Sequence, residues 1–147
     1  MSREHPRTES GVTPLLPPLF TAVAHNSDGI TGESRVDGGR TVTVASPTAA
    51  DRGTATNPEE LLALSWVTCL NAAARVVAGP GIEVEASAEI SLHPRADVGF
   101  EFSGKAELRF VGVPLAEATA LAEAAHERCP VSRMLTGRSS VRVSAVA

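Results

Sequence analysis

The stretch Thr56-Asn57-Pro58-Glu59-Glu60-Leu61-Leu62-Ala63-Leu64-Ser65-Trp66-Val67-Thr68-Cys69-Leu70-Asn71 decides how this chain is read. It opens as a helix does. Thr56 or Asn57 can cap the first free backbone N–H groups with a side-chain oxygen, and Pro58 suits the first turn. Glu59 and Glu60 then stand at the positive end of the helix dipole. From Leu61 to Ala74 no residue is charged, so the helix has no room for a solvated face of ordinary width and is expected to be buried on most sides. It nevertheless carries a thiol, Cys69, in its middle. On this segment alone that thiol reads equally well as a small core residue or as a reactive group.

Downstream, Gly79-Pro80-Gly81 stops the helix. Ile82, Val84, Ala86, Ala88, Ile90 and Leu92 then alternate with polar residues. After a turn through Pro94 and Asp97 the alternation resumes with Phe100, Phe102, Ala106, Leu108 and Phe110. This pattern predicts a long antiparallel hairpin with one dry face, which only helices can cover. Pro114 to Arg128 reads as an amphipathic helix, with Leu115, Ala118, Leu121, Ala122 and Ala125 on one stripe. Cys129-Pro130 restarts a short helix through Leu135, Gly137 closes it, and Ser140 to Val146 is expected as a last strand.

Upstream, Leu19–His25, Thr31–Val36 and Arg40–Ala45 read as strands. Asn26–Gly29 and Asp37-Gly38-Gly39 supply the turns between them. Ser46 to Ala55 is a loop carrying Asp51 and Arg52. Residues 1–17 are polar and broken by prolines, and are expected as a flexible arm. The remaining 18–147 form a single α+β domain, with antiparallel sheets packed on the central helix and no internal repeat.

Composition narrows the function classes. The net charge of −4 with mixed signs argues against a nucleic-acid or anionic-membrane surface. Four Phe, one Trp and no Tyr are too few for base-stacking platforms. No uninterrupted apolar run has the roughly 18 residues a membrane span needs, and the N-terminus lacks the apolar core of a signal peptide. A cytoplasmic protein is expected. In a reducing compartment its two cysteines, Cys69 and Cys129, are more often catalytic or merely buried than a permanent staple.

Cys129 precedes Pro130, which places its sulfur at a helix start, where backbone N–H groups favour a thiolate. Cys69 lies well inside its helix. Unless a cation stands nearby, its pKa stays near or above the free value of about 8.5. An arginine held by a carboxylate would supply one, and Glu59 is the obvious carboxylate. Helix geometry puts Glu59 roughly 15 Å along the axis from Cys69 and about 80° around it, so Glu59 should not reach the cysteine of its own chain. It could reach that of a second chain packed antiparallel. A helix apolar all round independently asks for such a partner, so a homodimer is expected.

Asn57-Pro58-Glu59-Glu60-Leu61, the cysteine ten residues after Glu59, and Cys129-Pro130-Val131-Ser132 together resemble the OsmC/Ohr family of osmotically inducible and organic-hydroperoxide-resistance proteins. The similarity spans about residues 19–146. It implies an intertwined homodimer with active sites at the subunit interface, and a thiol peroxidase reaction that uses no metal or bound organic cofactor. Carried over, Cys69 is the peroxidatic thiol and Cys129 the resolving one. Cys69 takes oxygen from an organic hydroperoxide to become a sulfenic acid, Cys129 closes a disulfide, and a dithiol reductant of lipoyl type reopens it. Apolar residues such as Trp66 suit an alkyl or lipid peroxide.

One departure stands out. The Ohr branch keeps its arginine in the turn after the first strand, and here that turn, Asn26 to Gly32, has none. The OsmC branch carries it in the loop before Asn-Pro-Glu, where Arg52 lies. The Glu59-Glu60 pair and the Pro-Val-Ser after Cys129 also lean toward that branch. Arg52 is therefore the candidate partner of the thiolate, against the alternative of a solvated arginine pairing with Asp51. Arg35 and Arg40 read as strand-edge charges, and Glu60 as a cap-region charge. Trp66 reads as dimer core before substrate contact. His126 and Cys129 could share a helix face but make only two metal ligands, and His25 and His93 read as ordinary turn or strand-end residues. Against the peroxidase stands a non-catalytic relative that binds a small apolar ligand or senses oxidants.

Overall fold

The computed structural model describes residues 13–147. The arm expected over 1–17 lies outside the described residues as far as residue 12; residues 13–17 are exposed and carry no regular structure.

Helix α1 (Pro58–Ala78) is the spine. Asn57 holds an extended backbone, and its Oδ1 accepts the Glu60 N–H at 2.9 Å, an N-cap with Pro58 in the first turn. Gly79, at φ 82, ends the helix in the left-handed region that favours glycine. The buried stripe is Trp66, Leu70, Ala73 and Ala74, the i, i+4, i+7, i+8 spacing of one helix face. Burial on most sides is not met within one chain. Leu64 stays 63% exposed and Val76 59% exposed, because one chain has only enough elements to cover one side. α1 is also long and apolar enough to cross a membrane by length and composition.

Strands β4 (Val84–Arg95) and β5 (Gly99–Phe110) form the expected hairpin, in register from Val84 opposite Phe110 to Arg95 opposite Gly99. Its dry face runs through Val84, Ala86, Ala88, Ile90, Ala106, Leu108 and Phe110, and is driest at the Val84–Phe110 end. Pro94, expected in the turn, pairs with Phe100 inside the hairpin instead. Gly104 has a packing reason to be glycine. A Cβ there would stand 3.0 Å from Cζ3 of Trp66 and 3.3 Å from Cδ1 of Ile90, so the bare backbone admits the indole ring.

Helix α2 (Leu115–Arg128) packs on α1 with Ala125 fully buried. The six-residue α3 (Pro130–Leu135) follows directly and touches both α1 and α2. A separate sheet, in the order β1 (Ala24–Asn26), β2 (Gly32–Val36), β3 (Thr41–Val44), is antiparallel. Of these strands only Val44 is buried, and its bridge to Thr56 joins the sheet to the start of α1.

Two strand expectations need correction. The first strand spans only Ala24–Asn26, not Leu19–His25. Ser140–Val146 forms no strand, although Val141, Val143 and Val146 are 69%, 94% and 92% exposed. A strand exists by pairing, and among the described residues no strand pairs with Leu19–Ala22 or with Ser140–Val146.

Candidate active site

Pro130 disfavours helical backbone at the residue before it, so Cys129 sits extended at φ −67, ψ 119 between two helices. Its N–H ends α2 by donating to Ala125 O at 2.8 Å, and its carbonyl starts α3 by accepting from Arg133 N at 3.0 Å. Its Sγ accepts the Ser132 backbone N–H at 3.4 Å. The side chain is fully buried.

Cys69 lies at the edge of α1's buried stripe, three residues past Trp66 and one before Leu70. It is half-buried and packs on the core cluster that contains Cys129. Both thiols are free. Burial pushes the Cys69 thiol above its ordinary pKa, and the nearby Cys129 charge adds to that. The fold thus brings the two sulfurs into one electrostatic neighbourhood. Within one chain both effects favour the neutral thiol over the nucleophilic thiolate.

The charged candidates are not gathered there. Glu59, in the first turn of α1, has a buried Oε2 that accepts no hydrogen bond from any described residue. Arg52 reaches Glu60 Oε1 at 3.6 Å, not Glu59 and not the Asp51 of the alternative reading. Arg35 pairs with Asp37 at 2.9 Å, and Arg40 is exposed before β3. His25 also bonds Asp37, at 3.0 Å, and holds its carboxyl below the usual range. His93 bonds Ser103 at 2.7 Å. Among the described residues no group of three His, Cys, Asp or Glu side chains could hold a metal.

Trp66 sits in the core of its own chain, a correction to its expected place at a dimer interface. Its Nε1 donates to Ser132 Oγ at 2.8 Å. The ring borders an apolar cavity of about 460 Å³ between the hairpin and α3, lined also by Leu62, Ile90, Phe102, His126 and Leu135. Ser132 is the functional candidate that sequence reasoning quoted without giving it a role. Its signal was a small polar residue three positions after Cys129, on the first turn of a helix. Asn71, the lone amide in α1's uncharged run, was also passed over. It donates to Val84 O at 2.9 Å and accepts from Arg75 Nε at 2.8 Å, tying α1 to the hairpin.

Comparison with known proteins bears on the fold and the family. The family described as OsmC-like protein matches residues 51–144. The organic hydroperoxide resistance protein OhrA of Bacillus subtilis is 32% identical over 132 residues, 84% of this chain and 94% of that one. The crystal structure of the organic hydroperoxide resistance protein OhrB of Bacillus subtilis superposes with a TM-score of 0.74 at 31% identity, covering 82% of this chain and 93% of that one. An organic hydroperoxide resistance protein OsmC from Legionella pneumophila gives a TM-score of 0.73 at 31% identity, with coverages of 82% and 93%. Both names occur among these relatives, so the leaning toward the OsmC branch stays with the two motifs that suggested it.

Proposed function

This chain belongs to the OsmC family, and on that premise we propose that it is a thiol-dependent peroxidase that reduces organic hydroperoxides to alcohols. The observation that carries the reading is the convergence of Cys69 and Cys129 in one core cluster, from elements sixty residues apart in the chain. In the reaction the Cys69 thiolate attacks the distal peroxide oxygen. The O–O bond breaks, the alkoxide takes up a proton and leaves as alcohol, and Cys69 becomes a sulfenic acid. The Cys129 sulfur then attacks the sulfenyl sulfur. The S–O bond breaks, water leaves with the Cys129 proton, and the disulfide forms. A dithiol reductant, of lipoyl type by family analogy, reopens it by exchange and is itself oxidised. No metal or organic cofactor enters this scheme.

The thiolate is the difficulty, and a homodimer is the proposed solution. Within one chain burial and Cys129 both push Cys69 toward the neutral thiol. Glu59 meanwhile keeps a buried oxygen without a partner among the described residues, and an orphaned carboxylate oxygen is costly unless something arrives to pair with it. Exposed Leu64 and Val76 on α1 supply an apolar surface for a second α1. In such a dimer the Glu59 carboxylate would fix an arginine, with Arg52 the candidate, beside the Cys69 of the other subunit. A cytoplasmic location goes with this reading, since reduced thiols and a dithiol donor are both available there.

A second reading has one observation in its favour. No described arginine stands at Cys69, while the 460 Å³ cavity beside Trp66 is largely apolar, which suits a non-catalytic binder of a small apolar ligand or an oxidant sensor. One experiment separates the two. Reduced protein is mixed with cumene or tert-butyl hydroperoxide and its free thiols are followed. Rapid loss of two thiols per chain for each peroxide consumed, abolished by Cys69→Ser, supports the peroxidase. Slow oxidation at the same rate with hydrogen peroxide leaves the binder.

A further inference from the structure

We propose that Trp66 and Ser132 are positioning residues for disulfide closure: their side-chain hydrogen bond holds α3 against α1 so that Cys129 meets Cys69 in bonding geometry. The proposal rests on the peroxidase reading above and concerns its second step. Trp66 lies three residues before Cys69 on α1, and Ser132 three residues after Cys129 on α3. The 2.8 Å bond from Trp66 Nε1 to Ser132 Oγ therefore joins the two thiol-bearing elements about one helical turn from each sulfur. Ser132 carries the constraint to the sulfur itself, because its backbone N–H donates to Cys129 Sγ at 3.4 Å. Its carbonyl is fixed in turn by the Thr136 hydroxyl at 2.7 Å and the Thr136 N–H at 3.1 Å.

The Trp66 end of the lock is the fixed one. Ser132 is fully buried and Trp66 nearly so, at 8% exposed; both stand in the wall of the cavity, and breaking the bond costs the indole N–H its protein partner there. The indole ring is clamped from the hairpin side, where only the missing side chain of Gly104 leaves room for it. α3 by contrast has six residues, too few to fix its own orientation without such an anchor. Closure needs that orientation. A disulfide forms only within a narrow window of Cα separation and Cβ direction, and an intramolecular attack gains its rate from the alignment of the reacting atoms.

The test uses the full chain. Rapid-quench reaction with tert-butyl hydroperoxide, trapping the Cys69 sulfenic acid with dimedone, gives the lifetime of that intermediate. Equilibration in dithiothreitol redox buffers, without peroxide, gives the stability of the Cys69–Cys129 disulfide. Ser132→Ala and Trp66→Phe are each expected to lengthen the lifetime about tenfold and to weaken the disulfide by a similar factor. The double variant is expected to be no worse than either single one, since one bond is lost in all three. Ser132→Thr, which restores the hydroxyl, is expected to stay within about twofold of the parent protein. If one single variant does not fold, the other breaks the same bond. Additive losses, or an unchanged lifetime and disulfide stability in a folded single variant, overturn the proposal. So does the absence of any Cys69–Cys129 disulfide in the redox buffers. A parent protein that ignores the peroxide yet forms this disulfide with the expected variant pattern would sink the peroxidase reading while leaving the lock standing.

Discussion

Replacing Asn57 by alanine tests whether α1 is fixed at its start, where Glu59 is held. Asn57 is 2% exposed and makes two bonds across the first turn. Its Oδ1 accepts the Glu60 N–H at 2.9 Å, and its Nδ2 donates to Glu60 Oε1 at 2.9 Å. Loss of the cap bond costs about 1 kcal/mol. The second bond goes to a carboxylate whose side chain is 55% exposed, so screening and competing water reduce it to a few tenths. The sum, about 1.5 kcal/mol, corresponds to a fall in Tm of about 3–6 °C for a chain of this size. Urea denaturation at a fixed protein concentration is the assay, because association shifts apparent stability. The midpoint should drop with no change in slope. Asn57→Ser keeps a capping oxygen and should recover most of the loss. An alanine variant within about 0.3 kcal/mol of the parent, or a serine variant as unstable as the alanine one, would show that the cap does not anchor this helix.

Arg52→Ala should slow hydroperoxide turnover about a hundredfold, if Arg52 favours the thiolate. The pH midpoint of Cys69 alkylation by iodoacetamide should then rise, since burial and Cys129 alone both push that thiol up; adding Cys129→Ser should bring it part of the way back, and a midpoint indifferent to Arg52 removes that residue from the site. The same raised pKa has a consequence for stability in this Arg52→Ala background. The unfolded chain releases the thiol proton first, so the contribution of Cys69 is full below about pH 8.5 and fades as pH climbs through the higher folded value; Cys69→Ser should flatten that alkaline loss in thermal melts. Glu59→Gln keeps the shape of the side chain but removes its charge, and is expected to cut turnover at least tenfold with little change in Tm; full activity would detach Glu59 from catalysis. Leu70→Ala, at a position 4% exposed in the centre of the core, should cost about 2–4 kcal/mol by denaturant titration. Val143→Lys should leave a monomer untouched, since that side chain is 94% exposed, but weaken a dimer that pairs the C-terminal segment, which sedimentation at graded concentrations would read.

What the sequence discloses here depends on whether the deciding contact is local. The α1 start was legible because capping and the position of proline act within four residues, and Asn57 caps as its type predicts. The β4–β5 hairpin was legible because strict alternation over twelve residues fixes the register. The slips were Pro94, whose place in a turn or a strand is not fixed by residue type, and Phe100 and Phe102, expected on the dry face but 65% and 44% exposed because the helices cover only the other end. The Trp66–Ser132 bond was not legible. It joins residues 66 positions apart, and no periodicity encodes which buried serine an indole will find.

The failures at both ends of the chain and on α1 share a physical cause, and it bears on the mechanism. Among the described residues Ser140–Val146 has a strand's alternation without a partner, α1 has an apolar circumference covered only on one stripe, and Glu59 has a buried oxygen with nothing bonded to it. Each is a rule of local consistency that a single chain leaves unmet. Unmet apolar faces and unpaired strand edges are what an isologous interface satisfies, because a twofold axis repeats every deficit beside its own complement. The same residues that look misplaced in one copy are those a reaction centre built from two copies would use. In such a dimer Cys69 would need no activating group from its own subunit, which suits a thiol that burial and Cys129 push toward its neutral form within one chain.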